Sequence, residues 1–317
     1  SFPTRRSSDL ISKICFREGG IKVEKMVLEF ENYLVDKNRR KSTISAYLSD
    51  LTSFFKCVEL VSVEDMTNKD IRNYVDDMER QGKSPNSINR ALITLSNFSK
   101  FHKLNVEPLN YKAKQQKQDS LQSKLKISDL SKILYYVEQA NDIRTATLLK
   151  TIAFTGARVS EALQIKVSDI TKSKINVKGK GSKYRDLLIP KALKKQFKEY
   201  MKHRVCDSEY LFVGERGPIN RHTVYHDIRK YAAVGKMKKD LSHPHAFRHL
   251  YALLLKELGV HIPDIKQLMG HELDVTDRYM CAGEEELIKK IEGIEKKIPA
   301  YVPVSERSGK KTKKSSK

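Results

Sequence analysis

The sequence predicts a mainly helical protein of two domains, the second carrying one small β-hairpin. Three observations lead there. Apolar residues recur at helical spacing over most of positions 23 to 298. One segment, "KINVKGKGSKYRDLLIP" at 174–190, alternates instead, around a glycine-rich centre. Between the helical halves lies "NYKAKQQKQDSLQSK", rich in lysine and glutamine and almost without apolar periodicity. At 317 residues, 39% of them hydrophobic, the chain is long enough for two packed cores.

Residues 1–22 read as a non-native leader. "SFPTRRSSDL" fits neither a helical nor a strand pattern and back-translates to a common sequencing adaptor, while "REGG" at 17–20 back-translates to a purine-rich ribosome-binding site ahead of a start near Val23 or Met26. The first helix then carries Val23, Met26, Val27, Phe30 and Leu34 on one face. A Ser42 cap opens the second, with Ile44, Tyr47, Leu48, Leu51, Phe55 and Val58. Thr67 and Asp70 form a capping-box pattern ahead of Ile71, Tyr74, Val75 and Met78. Ser84-Pro85 starts a fourth helix bearing Ile88, Ala91, Leu92, Leu95 and Phe98. Residues 23–103 are thus a four-helix unit. Lys37, Arg39, Arg40, Lys41, Lys83 and Arg90 lie at its helix ends and turns, either as a face for an anionic partner or as a solvated basic surface.

Residues 104–126 read as a basic linker, able to let two basic domains close around a partner as a clamp. The second domain, 127–300, opens with helices around Leu130, Ile133, Leu134 and Val137 and through Ala146, Leu149, Ile152 and Ala153, stopping at Gly156. The hairpin sets Ile175 and Val177 against Leu187 and Ile189, and the pattern after it is helical to about Ile298. Within it, 219–233 reads as a helix whose first turn carries Arg221, His222 and Thr223, with Tyr225, Ile228 and Ala232 inward. It suits either a nucleic-acid groove or an ordinary surface. Residues 301–317 are polar and basic, a tail expected to be disordered.

Charge narrows the partners. Lys+Arg number 61 against 39 Asp+Glu, a net charge of +22 spread along the chain, and such a field attracts polyanions. Nucleic acid comes first. No apolar run approaches the length of a membrane span, and no secretory signal pattern opens the chain, so a cytoplasmic, nucleoid-associated protein without a membrane partner is expected. The four cysteines form no C-x-x-C pair and call for neither disulfides nor zinc.

Three stretches carry chemistry. In "TIAFTGARVSEALQIKVSDI", Arg158 is wedged between apolar runs just past a glycine turn, so it pairs with a carboxylate such as Glu161 or awaits an anionic ligand. In "LSHPHAFRHLYALLL", His245, Arg248 and His249 fall at i, i+3 and i+4 on one helix face. A metal site is disfavoured there: no glutamate follows the first histidine, and a permanent cation sits beside the pair. An anion suits the trio. In "LMGHELDVTDRYM", His271 follows a glycine turn and Tyr279 comes eight residues later, in what reads as a polar loop.

Taken in order, an R-V-S-E-A-L arginine, a G-K-G hairpin lysine, an H-x-x-R-H helix, a G-H turn and an R-Y tyrosine resemble the tyrosine recombinase (phage integrase) family, in its compact two-domain Xer-like form. The resemblance implies a helical SAM-like core-binding domain at 23–103 and a mixed α/β catalytic domain at 127–300. It implies roles too. Arg158 and Arg248 would grip a scissile phosphate, with guanidinium charge in place of a metal or other cofactor, and His271 would add a hydrogen bond. His245 would take or orient the tyrosine proton, Lys180 would protonate the leaving 5′-oxygen, and Tyr279 would be the nucleophile of a 3′-phosphotyrosine intermediate. Glu161 would hold Arg158 and the histidines; His249 either belongs to the site or caps its own helix.

The chain departs from the family in one respect: its His271-to-Tyr279 spacing is one residue short, and Tyr251 and Tyr301 are the other tyrosines weighed as nucleophile. Lys178 and Lys183 flank the hairpin turn as alternatives to Lys180. The expected activity is site-specific DNA recombination by a homotetramer on two duplexes, with a second recombinase or directionality factor as a further possible partner. The alternatives are a type IB topoisomerase-like DNA relaxing enzyme and a DNA-binding protein without cleavage activity. The stripe Leu287, Ile288, Ile291, Ile294 and Ile298 has to be buried, either by packing on its own domain or, as the same resemblance suggests, by docking into a neighbouring subunit.

Overall fold

A computed structural model describes residues 20–58, 60, 62–113, 125–179 and 183–303, the side chains of residues 20–22, 275, 278 and 279 excepted. The expected leader therefore lies outside the described residues but for the backbone at 20–22, as do residues 114–124 of the expected linker and 304–317 of the tail. The chain divides into two compact units between Gln118 and Asp119.

The first unit holds α1 (Gly20–Asp36), α2 (Lys41–Cys57), α3 (Asn68–Arg80) and α4 (Pro85–Phe101), with 3-10 turns at Val63–Asp65 and Pro108–Tyr111. Its core gathers Phe30, Leu51, Phe54, Ile71, Leu92 and Phe98, all essentially solvent-free. Local chemistry fixes where the helices start. Thr67 and Asp70 cap α3 reciprocally, the Thr67 N–H donating to the Asp70 carboxylate at 2.8 Å. The Ser84 hydroxyl accepts from the Ser87 N–H ahead of Pro85 in α4. Helix α2 differs from expectation, since it opens after an extended Arg40 and no side chain caps it, Ser42 included. Leu104, Val106, Tyr111 and Ala113 pack on this core, so the first part of the segment expected as linker is docked by its own apolar side chains. Arg90 is committed within the unit. It makes a bidentate pair with Asp50, Nη2 to Oδ1 at 2.6 Å, which bolts α4 to α2.

The second unit runs α5 (Ile127–Gln139), α6 (Ile143–Thr155), α7 (Val159–Ala162), β1 (Lys174–Lys178), β2 (Tyr184–Leu188), α8 (Lys191–Met201), β3 (Val213–Gly214), β4 (Gly217–Pro218), α9 (Arg221–Val234), α10 (Pro244–Glu257), α11 (Ile262–Met269), α12 (Val275–Met280) and α13 (Glu284–Ile291). Helix α6 is its centre, buried on nearly every side with α5, α8 and α10 around it. The β1–β2 hairpin is antiparallel, pairing Ile175 with Leu187 and Val177 with Arg185. The β3–β4 hairpin breaks the helical run expected after residue 190; two-residue strands are too short to alternate visibly.

One further expectation is overturned. Tyr279 lies in α12 rather than in a loop: Asp274 caps that helix by accepting the Asp277 N–H at 2.7 Å. The stripe on α13 is buried within its own unit. Leu287, Ile291 and Ile294 belong to the same core as α6 and α10, and Ile288 and Ile298 pack against it.

Candidate active site

The site is assembled where α6 and α11 end. Each helix terminates on a left-handed glycine, Gly156 at φ 59° and Gly270 at φ 62°. Neither position has room for a side chain. A Cβ on Gly156 would stand 2.4 Å from the Tyr251 ring, and one on Gly270 would stand 2.5 Å from Arg185 Cδ. The close approach exposes the helices' final carbonyls to cations. Arg248 donates to the carbonyls of Gly156 and Met269. Arg185 donates to those of Leu268 (2.8 Å) and Gly156 (2.9 Å).

At the centre is Glu161, completely buried. Its carboxylate accepts from the Arg158 backbone N–H at 2.7 Å, Arg158 Nη1 at 2.8 Å and Arg185 Nη2 at 2.7 Å, and Arg248 Nη1 stands 3.9 Å away. Burial alone would raise its pKa. The hydrogen bond and charge of Arg185, followed by those of Arg158, outweigh burial and hold it below the ordinary 4.5. Arg158 is thus paired with Glu161, and its side chain is still 34% exposed. Arg248 is 2% exposed. Burial, then Arg185 and Arg158, bring its pKa down to about 10, leaving it cationic at neutral pH.

Helix α10 presents the histidines. Pro244 occupies its first turn, and the residue that caps it is His243, whose Nδ1 accepts the Ala246 N–H at 3.2 Å. His249 does not cap α10; it is exposed on the same face as His245, the two rings edge to face with centroids 4.4 Å apart. His271 stands just past Gly270 and reaches solvent. The pKa values of His245 and His271 are both lowered. Partial burial contributes most, followed by His249 and Arg248 for His245 and by Arg248 and Arg158 for His271. The cluster thus holds three guanidiniums and histidines biased neutral, with Glu161 as its buried counter-charge. Such a site favours an anion.

Arg158, Glu161, His245, Arg248, His249 and His271 come together here. Lys180 lies outside the described residues, and so does the Tyr279 side chain, although the Tyr279 backbone is fixed in α12. Of the alternative lysines, Lys183 pairs with Glu272 at 2.8 Å. Of the alternative tyrosines, Tyr251 is buried against Gly156, and Tyr301 stacks edge-on with Tyr135. Lys37, Arg39, Arg40, Lys41, Lys83, Arg221 and His222 are exposed, and Thr223 is half-buried in the first turn of α9, where Asn220 caps it. Among the described residues no group of three His, Cys, Asp or Glu is arranged to hold a metal ion, and no helix is long and apolar enough to cross a membrane.

Sequence reasoning missed Arg185. A signal was present, for it lies opposite Val177 and in phase with Leu187, on the hairpin's inward face. An inward arginine on a strand demands a buried carboxylate.

Residues 123–285 match the phage integrase family, and residues 27–104 match the phage integrase N-terminal SAM-like domain. The tyrosine recombinase XerA of Pyrococcus horikoshii is 31% identical over 272 residues, covering 83% of this chain and 91% of that protein. The tyrosine recombinase XerC of Treponema denticola is 28% identical over 299 residues, covering 81% of this chain and 95% of that protein. Among solved structures, a lambda integrase tetramer bound to a Holliday junction aligns with TM-score 0.67 at 19% identity, over 82% of this chain and 77% of that one. The XerH recombinase in a post-cleavage complex with its difH substrate aligns with TM-score 0.60 at 19% identity, over 92% and 94%.

Proposed function

This chain belongs to the phage integrase family and is a tyrosine-type site-specific recombinase acting on DNA, and on that premise we propose that the Arg158–Glu161–Arg248 cluster is its scissile-phosphate cradle. The observation that carries the proposal is a buried Glu161 that orients the Arg158 guanidinium without covering it: Arg158 keeps a third of its side chain exposed. Arg158 offers planar, permanently charged donors to the non-bridging oxygens and His271 offers another, while Arg248, buried with its Nη atoms on the Gly156 and Met269 carbonyls, adds its positive charge from behind them. Tyr279 attacks phosphorus, the bond from phosphorus to the 5′-oxygen breaks, and a 3′-phosphotyrosine forms. The tyrosine proton passes to His245, which its depressed pKa keeps able to accept it. Lys180 gives a proton to the departing 5′-oxygen. Reversing the same steps with another strand's 5′-hydroxyl rejoins the DNA, the ester having conserved the bond energy.

The flanking DNA is gripped, in this reading, by Lys37, Arg39, Arg40, Lys41 and Lys83 of the helical unit and by Arg221, His222 and Thr223 at the start of α9. Arg90 contributes an outward charge while serving Asp50. The working assembly is a homotetramer on two double-stranded sites in the cytoplasm, and the charged cradle does the work that would otherwise fall to a metal cofactor.

A nicked suicide duplex tests this in EDTA. The wild-type protein forms a covalent protein–DNA adduct, whereas Tyr279→Phe binds the same DNA with unchanged affinity and forms none, because only the nucleophilic oxygen is gone. An adduct in Tyr279→Phe, or strict dependence of cutting on Mg²⁺, contradicts the proposal. Recombinant products from a two-site plasmid, rather than supercoil relaxation alone, separate it from a topoisomerase.

A further inference from the structure

Helix α12 spans six residues, too few to hold itself together in water. Its position has to be imposed from outside, and α11 supplies the means twice. Lys266 pairs with Asp277 at 2.8 Å, two residues before Tyr279. Asp264, 1% exposed, accepts the Ala282 backbone N–H through Oδ1 at 2.7 Å, three residues after Tyr279. Its other oxygen, Oδ2, faces Lys290 of α13 at 3.9 Å. A buried carboxylate has to be matched by a donor, and here the hydrogen-bonding donor is a peptide N–H just beyond the end of α12. The first pair is half-exposed and salt-screened, so it is the weaker of the two. The second is shielded and directional. Gly270 and His271 follow directly on α11, so the helix bonded to α12 on both sides of Tyr279 also carries the proposed phosphate donor.

We propose that Asp264 is a positioning residue for the nucleophile: its bond to the Ala282 N–H fixes the exit of α12 and so holds Tyr279 in register with the phosphate cradle. Asp264 acts through the backbone, by way of the Ala282 N–H. Without the clamp, Cys281 and Ala282 are free to drift, α12 unwinds from its C-terminal end, and Tyr279 leaves the line of attack. Displacement by about 1 Å from a near-attack geometry costs roughly 100-fold in rate while leaving binding alone. The proposal rests on Tyr279 being the nucleophile.

Single-turnover adduct formation on the nicked duplex at saturating DNA, with the DNA dissociation constant measured in parallel, tests it on the full chain. Asp264→Ala is expected to slow adduct formation about 30- to 100-fold with the dissociation constant within about twofold of wild type. Asp264→Asn keeps Oδ1 as an acceptor and restores the rate to within about fivefold of wild type. Ala282→Pro removes the donor rather than the acceptor, and the residue before it already has the extended backbone a proline requires. It should reproduce the Asp264→Ala loss, and the double variant should be no slower than either single one. Where Asp264→Ala fails to fold, Ala282→Pro carries the same comparison against Asp264→Asn. Three results overturn the proposal: Asp264→Ala or Ala282→Pro cleaving within threefold of wild type, Asp264→Asn as slow as Asp264→Ala, or losses that multiply in the double variant. An adduct persisting in Tyr279→Phe instead defeats the assignment of the nucleophile, so the two failures are distinct.

Discussion

Glu161 is one carboxylate answering to three guanidiniums, and the site depends on that imbalance. Arg185 and Arg158 bond to it directly and Arg248 stands at 3.9 Å, so the cluster keeps a net positive charge while each cation keeps a fixed direction. Removing the carboxylate leaves Arg185 and Arg248 buried beside each other without compensation. Glu161→Ala is expected to destabilise the catalytic unit by about 3–5 kcal/mol, the cost of breaking a buried pair from one side. Its pH dependence follows from the lowered pKa. The folded value lies below the ordinary 4.5, so the ion pair's stabilisation is complete above 4.5 and is lost as pH falls through the folded value. Acid-unfolding curves of wild type and Glu161→Gln check this: the wild type's stability should decline more steeply between pH 5 and the folded pKa, and parallel curves would refute it.

At the scale of elements, the site exists because two helices stop on glycines. Gly156→Ala would force a positive φ on a residue with a Cβ and drive that atom into Tyr251, a side chain with no room to retreat. A loss of about 2–4 kcal/mol and a weakened grip of Arg248 on the Gly156 carbonyl are expected. Equilibrium denaturation and adduct formation on the nicked duplex measure the two effects, and an alanine tolerated within about 0.5 kcal/mol would show that the helix end can relax.

Much of this scaffold was legible in the sequence because it is local. The Thr67–Asp70 box, Ser84-Pro85, the stop at Gly156 and the i, i+3, i+4 trio of α10 each express spacing within one element. What escaped was long-range. Arg185 serves Glu161 across 24 residues, and Asp264 serves Ala282 across 18, and neither shows a periodicity that would mark its partner. The sequence of α12 reads as a loop because its stability comes from Lys266 and Asp264, not from its own six residues. His243 escaped as the α10 cap because histidine is not among the usual capping residues.

For the molecule as a whole, the fate of the C-terminal stripe decides how the catalytic unit is built. Leu287, Ile291 and Ile294 are 2% exposed or less, and they share one core with α6 and α10. Polar contacts reinforce the docking: Glu284 pairs with Lys174 of β1 at 2.7 Å, and the Glu292 carboxylate accepts the Lys191 N–H at the start of α8 at 3.0 Å. Each buried aliphatic side chain stabilises by about 1.5–3 kcal/mol, so three contribute on the order of 5 kcal/mol, within reach of a domain's entire stability. Truncation after Gly283 should therefore lower the melting temperature of the catalytic unit by ten degrees or so, at roughly 2–4 °C per kcal/mol, and leave an apolar trough that promotes aggregation. The four-helix unit, whose core shares no residue with this one, should keep its own transition. Differential scanning calorimetry resolves the two. A truncated protein that melts as the full chain does would mean that α13 contributes little where it lies, and that its apolar face is held in reserve for another surface.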